Sequence, residues 1–399
     1  MPSTSLRVDD IYAKAGVVAA VFAVVAAGSY LFYSMPPFDP FGYLIGRDFV
    51  NTWMGARATL DGDPKLWFDF TAYNAALHQI FGANFPQHNW SYPPHLLLLI
   101  WPFGFLPYLA AYVLWCVIGF AVYLAVAAGR ERRLDEIFML AVAPAVLVNI
   151  LGGQNGFFSA ALLIGGLALL DRRPIVSGVL FGLLTMKPQL GILLPLMLVL
   201  SGRWRCIASA AATTFALFAM TSVIFGADIW MAFWQNAVPM QREVLTHGVG
   251  YFLTMMPTPF ANGRLLGLPL AWAWALQGIV SVIAIAAVAW AFWRRRDPVL
   301  SVALFVTASF LVTPYAFNYD MVVFGWVLIQ LRRHDTPADT VDHAVALAVW
   351  SLPVLTMILG LNGVPISSLA LLAFAARLIR RLSEAETQTA RAAATPASA

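Results

Sequence analysis

Charge is what this sequence has least of. Asp, Glu, Lys and Arg together make 11% of its 399 residues, while 60% are apolar; a soluble globular domain carries roughly a quarter charged residues. Too few charges remain to cover a water-facing surface, whereas repeated spans of about 20 apolar residues are solvated by lipid and need no such cover. The scarcity excludes a soluble fold and makes the chain a multi-pass membrane protein. Cysteine is also scarce. Cys116 and Cys206 both sit in apolar runs with no CxxC or metal-ligand spacing, which excludes a disulfide framework and a zinc site and leaves them as apolar filler. His88, His95 and His247 are too scattered to ligate a metal together and read as polar lining. No metal and no other cofactor is called for, although metal dependence stays open. A cleavable leader is missing as well: the first apolar run, about 13 to 33, is too long for a signal-peptide core. It also has no small-residue cleavage site before Met35-Pro36-Pro37, so it reads as a retained helix.

What is present is a series of apolar stretches, at about 96–106, 108–128, 134–151, 156–170, 174–200, 206–226, 270–293, 298–314, 319–331, 343–360 and 365–380. Short cytoplasmic loops of membrane proteins collect Lys and Arg. Here the arginines at 130, 132, 133, 172, 173, 203, 205, 294, 295, 296, 332 and 333 fall in alternate loops. With Arg7, Lys14, Arg377, Arg380, Arg381 and Arg391, they place eighteen of twenty-four basic residues on one side. That side is expected to be the cytoplasm, with both termini there, in a bacterial inner membrane. The count closes at about twelve crossings if the run 174–200 crosses twice, turning near Lys187-Pro188, and 96–106 is re-entrant. Such half-spans must be shielded by protein or line a cavity. The expected architecture is all-α and polytopic: one domain over 1–382, outer loops at about 34–94 and 226–269, and a tail over 383–399 that reads as disordered. In the first loop, Phe49, Trp53, Ala56 and Leu60 recur at helical spacing. Asp61-Gly62-Asp63-Pro64 turns the chain, and Leu66, Phe70, Tyr73, Leu77 and Phe81 recur again. These predict two amphipathic helices at the membrane interface.

Few outward groups could carry chemistry. Asp48, in Gly46-Arg47-Asp48-Phe49, precedes the first interface helix, where it reads as a general base, as an N-cap, or as both. Lys187, in Thr185-Met186-Lys187-Pro188-Gln189, lies between apolar half-helices. A cation there is costly unless paired or wet: a phosphate partner fits, and so does snorkelling to the interface. Gln154 and Asn155, in Gly152-Gly153-Gln154-Asn155-Gly156, are either sugar contacts or plain turn residues. Asp320, closing Thr313-Pro314-Tyr315-Ala316-Phe317-Asn318-Tyr319-Asp320, either orients a hydroxyl or a cation or caps its short span. Tyr92-Pro93-Pro94 and Trp101-Pro102 would bend an apolar segment at the outer face, either for a lipid-chain groove or as ordinary proline kinks of a membrane helix.

Taken in order, Arg47-Asp48-Phe49, Gly62-Asp63-Pro64, Ser91-Tyr92-Pro93-Pro94, Gly153-Gln154-Asn155 and Lys187-Pro188 resemble glycosyltransferase family 87. These are membrane transferases of the GT-C fold, a group that includes polyprenol-phosphate-mannose-dependent mannosyltransferases. The resemblance spans roughly residues 12 to 380. It implies hexosyl transfer, of mannose in this group, from a polyprenyl-phosphate donor to a lipid or glycan acceptor among membrane lipids, with no nucleic-acid partner. It implies Asp48 as base. The departing phosphate would be met by Lys187 and by Arg264 or Arg242 of the second outer loop, and Arg47, Tyr92, Gln154, Asn155 and Asp320 would contact substrate. Family members often carry a histidine in the outer turn where this chain has Asn318, Tyr319 and Asp320. The turn at Asp61-Gly62-Asp63 is explained by Pro64, which disfavours a nucleotide-sugar donor. The rival reading is a secondary transporter or lipid flippase. It calls for midplane charges and two similar halves, and neither is visible; a catalytically dead scaffold is a third reading.

Overall fold

A computed structural model of the chain describes residues 8–89, 92–248, 251–294, 296–334 and 338–394; Arg7, Ser91, Arg295 and residues 395–399 lie outside it, as does the side chain of Arg391. Among the described residues the fold is helical and no strand occurs, only isolated bridges near Met35–Leu44. The first third holds α1 (Val8–Tyr33), α2 (Phe49–Leu60), α3 (Phe70–Phe81), α4 (Leu97–Ile100) and α5 (Tyr108–Ala127). Then come α6 (Leu134–Ala141), α7 (Pro144–Gly152), α8 (Gly156–Leu169), α9 (Pro174–Leu183), α10 (Leu194–Leu200) and α11 (Trp204–Phe225). Three short helices, α12 (Asp228–Ala232), α13 (Val238–His247) and α14 (Tyr251–Thr254), lead to α15 (Pro259–Leu265) and α16 (Leu270–Trp293). The chain ends with α17 (Pro298–Val312), α18 (Val323–Arg332), α19 (Thr340–Leu361) and α20 (Ser367–Ala394).

Five helices, α1, α5, α11, α16 and α19, are long and apolar enough to cross a membrane, or six spans if α6 and α7 count as one. That pair is bent by 47° where Pro144 forbids the helix to continue unbroken. The lipid-facing character of the outer helices is plain from α1, whose Val18, Val24 and Phe32 are exposed; water would not tolerate such a face. Shorter apolar helices fill the interior. On α17, an unbroken run from Ala303 to Val312 is buried, as expected of a helix that is apolar on every side. Helices α9 and α11 approach closely at Gly178 and Gly182. A Cβ there would fall 2.5 Å from the Cys206 carbonyl oxygen and from Thr213 Cβ. Small residues at four-residue spacing let backbones meet in this way where no hydrophobic force joins helices.

The run 174–200 breaks where the sequence predicts. α9 passes through a 3-10 turn at Leu184–Met186, and a second one, Pro188–Gly191, leads to α10. The segment 96–106 is likewise short and broken, with α4 followed by the 3-10 turn Trp101–Phe105. The predicted helices of the first outer loop are α2 and α3, and α2 turns its apolar face into the protein. Phe49, Val50, Met54 and Ala56 are buried, because Trp67 covers its Gly55 face and Gly104 its Ala56 backbone. The tail differs. Residues 383–394, expected to be without structure, continue α20; Ala, Glu and Arg there are good helix formers, and Glu386 is drawn to Arg296.

The arginine loops meet at one end of the bundle. Arg333 bridges Glu136 and Glu131, Arg332 lies 3.8 Å from Asp135, Arg203 pairs with Asp171, and Arg377 Nε is 2.6 Å from Asp342. The described start of α1 is there too, since Tyr12 hydrogen-bonds His343 at 3.0 Å. Cysteines placed at Gly62 and at Arg172, in a background without Cys116 and Cys206, are expected to react with an impermeant reagent from opposite sides of the membrane. Labelling of both from the same side refutes this arrangement.

Candidate functional site

At the other end of the bundle, four segments far apart in sequence close around one cavity. The Gly152–Gly156 turn is the hub. Gly153 adopts φ +58°, and a Cβ on it would fall 2.5 Å from both the Gly46 carbonyl oxygen and Phe49 Cβ. Only glycine gives this conformation and this approach together. A Cβ on Gly156 would fall 2.3 Å from the Tyr319 carbonyl oxygen. The turn is thus pressed between the loop that carries Asp48 and the segment that carries Asp320. Asn149 Nδ2 donates to the Tyr319 carbonyl at 2.7 Å, and Asn318 Nδ2 donates to the Pro353 carbonyl at 2.7 Å.

Asp48 is exposed at the start of α2, and its side chain makes no capping hydrogen bond. Its carboxylate accepts instead from Gln154 Nε2. The residue before it, Arg47, has φ +31°, an uncommon conformation for a non-glycine residue, of the kind that gathers at functional sites. Arg47 itself turns away. Its Nε lies 3.0 Å from Asp39, and its guanidinium stacks on Phe41 and Tyr43, so it anchors the loop rather than lining the cavity.

Lys187 is fully buried. Its Nζ lies 2.6 Å from Asp320 Oδ1, with the two side chains 1% and 0% exposed, which rules out snorkelling. Removing two ions from water costs several kcal/mol each and is offset only by good geometry and further hydrogen bonds. Ser159 Oγ supplies one to the same Asp320 oxygen at 3.1 Å, and the Tyr319 ring faces the ammonium at 4.5 Å. Asp320 Oδ2 is buried with no partner. Asp320 therefore neither caps its span nor reaches the cavity; it stands behind Lys187 and neutralises it.

The cavity, about 140 Å³, is lined by Asp48, Tyr92, Gln154 and Lys187 as expected, and also by Asn51, Asn89, Gln189, Phe252, Met255, Tyr315, Phe317 and Tyr319. Asn155 is one step back, hydrogen-bonded to Tyr92. Arg242 and Arg264 are not among its lining residues: Arg242 is exposed on α13 and Arg264 lies on α15. Their positive sign alone placed them at a phosphate, and the fold carries them elsewhere. Asn51 is absent from the sequence reading; its signal was the three-residue spacing from Asp48, which puts both on one helix face. In the outer loop, burial holds the His88 imidazole below its ordinary pKa, opposed by the nearby Asp48 carboxylate. Among the described residues no three His, Cys, Asp or Glu side chains gather as a metal set.

Two larger voids adjoin the cavity. One, about 650 Å³, is walled by apolar side chains from Leu96 and Met186 down to Val126 and Leu169 and contains no charged group. Its wall on α5 runs from Trp115 to Val126, about 16 Å at the helical rise. Met186 lines this groove and Lys187 the cavity, so one peptide unit separates them. The other void, about 540 Å³, lies between Trp67–Phe70 and the π-helix Phe233–Ala237, and shares Asn89 with the cavity.

The site is thus a polar pocket inside an apolar bundle, with one exposed carboxylate, one internally paired cation and an apolar groove alongside. The sequence model of glycosyltransferase family 87 matches residues 90–314, more than half of the chain, and the chain belongs to that family. It is a membrane glycosyltransferase. No curated protein and no solved structure matches it.

Replacing Lys187 by Met strands the Asp320 carboxylate in an apolar interior and is expected to cost about 3 kcal/mol or more. Replacing both, Lys187→Met with Asp320→Leu, should restore most of that loss. Thermal unfolding in detergent reads both, and a double variant no more stable than the single one would contradict the pairing.

Proposed function

We propose that this glycosyltransferase moves a hexose, mannose in the first instance, from a polyprenyl-phosphate donor to a lipid or glycan acceptor at the extracytoplasmic face, with Asp48 as general base. The observation that carries the reading is the Asp48 carboxylate itself. It makes no capping bond, it is exposed, and Gln154 aims it along the cavity wall. An acceptor hydroxyl is a weak nucleophile. As its oxygen bonds to the anomeric carbon, its proton passes to Asp48, which contributes about 10²- to 10⁴-fold. The bond from that carbon to the phosphate oxygen breaks, its electron pair leaves with the polyprenyl phosphate, and a single displacement inverts the centre.

Lys187 supports the leaving phosphate in this reading. An ammonium has three donors, and Asp320 is its hydrogen-bond partner among the described residues, so donors remain for a phosphate drawn in beside Tyr92 and Tyr319. The net charge of the pair is zero, which makes it a fixed dipole rather than a bare cation, of the kind that stabilises developing charge without reorganisation. Arg242 and Arg264 have no part in this mechanism. The apolar groove that ends at Met186 suits the polyprenyl chain, and the void behind Asn89 suits the acceptor. The reading carries with it a GT-C-type bundle of about twelve crossings in a bacterial inner membrane, the short broken helices included, with the arginine end and both termini cytoplasmic.

Asp48→Asn is nearly isosteric and cannot take a proton. It is expected to retain the melting profile and donor binding while transfer from radiolabelled polyprenyl-phosphate mannose falls by at least about 10²-fold. An Asn variant that transfers at near wild-type rate would remove Asp48 from the chemistry. Retention of labelled donor with no transfer by the wild type, but with its movement across the bilayer, would favour a flippase.

A further inference from the structure

A void at the arginine end belongs to none of this machinery. It measures about 510 Å³ and lies between the ends of α8, α10 and α16 and the starts of α17 and α11. Leu170 on its wall is fifteen residues beyond Asn155, so it sits about 20 Å from the Asp48 cavity at the helical rise. Leu167, Phe292, Val299 and Val302 give it apolar walls, while Arg203 and Arg296 enter at the rim.

Three of its lining residues carry a polar atom that is unfinished. Arg203 and Arg296 each use a terminal amino group, on Asp171 and Glu386, yet the Nε of both is buried and unpartnered. Ser301 is 2% exposed, and its Oγ has no partner either. Buried polar atoms are normally satisfied, and leaving one unmade costs about 1–3 kcal/mol. Arg296 and Ser301 flank the turn from α16 into α17 and Arg203 the turn from α10 into α11, at the end of the bundle where the arginine loops meet. Basic pockets between helices at this level take anionic lipid headgroups. Each guanidinium has one carboxylate partner, Asp171 and Glu386, which leaves further N–H donors on both, and the apolar walls exceed what a bare phosphate would need.

We propose that this cavity is a binding site for an anionic phospholipid, its phosphate against Arg203, Arg296 and Ser301 and an acyl chain along Val299 and Val302. The site is distinct from the transfer centre and does not depend on the proposed chemistry.

The test uses the purified full chain in neutral detergent, delipidated, with melting temperature and native mass spectrometry as readouts. Dioleoylphosphatidylglycerol is expected to raise the melting temperature and to remain bound, whereas dioleoylphosphatidylcholine and inorganic phosphate at equal concentration do neither. Arg203→Gln should weaken phosphatidylglycerol binding roughly fivefold, the worth of one arginine near a lipid surface. Val302→Trp fills the cavity and keeps every charge, and should abolish binding even if the arginine variant folds poorly. Equal binding of phosphatidylcholine, an equal shift from inorganic phosphate, or undiminished phosphatidylglycerol binding by Val302→Trp would each overturn the proposal.

Discussion

Everything near the transfer centre is arranged around an ion pair held out of water. Lys187 stands where the apolar run 174–200 breaks, and Asp320 where the chain passes from α17 to α18. Broken helices in lipid leave backbone groups that protein must satisfy. Neither break would be tolerable with an uncompensated charge at its centre, and each supplies the other's counter-ion. The amides of Asn149 and Asn318 complete the arrangement by tying the Asp320 segment to α7 and to the Pro353 bend of α19. The cavity is what remains between the two breaks.

That arrangement divides the work between two charges. Asp48 is on the rim, exposed and hydrogen-bonded to Gln154. Lys187 is within, fixed by Asp320 and faced by tyrosine rings. The family match covers Tyr92, Gln154 and Lys187 but stops short of Asp48 on one side and Asp320 on the other. The place of those two carboxylates therefore rests on geometry: the Gln154 hydrogen bond for one and the ammonium contact for the other.

Much of this was legible because ionisable groups are rare in an apolar chain. Asp48 and Lys187 stood out against their surroundings, the break at Lys187-Pro188 followed from proline, and α2 and α3 followed from helical periodicity. Partnership was not legible. Lys187 and Asp320 are 133 residues apart, and no local pattern relates them, so each was read as facing substrate. Sign alone also misled at Arg242 and Arg264, since a basic residue in an outer loop has many places to go. Periodicity gave α2 an apolar face but could not tell lipid from the protein that Trp67 and Gly104 bring over it. The helical end of the chain was hidden by a polar composition that is compatible both with disorder and with a helix held by Glu386 on Arg296.

The separation of Lys187 from its counter-ion has a consequence for how the protein is made. Chains are synthesised at about 5–20 residues per second, so the 133 residues between the two take roughly 7–27 s. Throughout that interval the lysine has emerged and its carboxylate has not been translated. The half-finished bundle must wait with this residue neutral, hydrated or held at the insertion machinery, and the α9–α10 break can settle to its final depth only after α17 has been threaded in. Chains that end before Asp320 carry a Lys187 without this counter-ion.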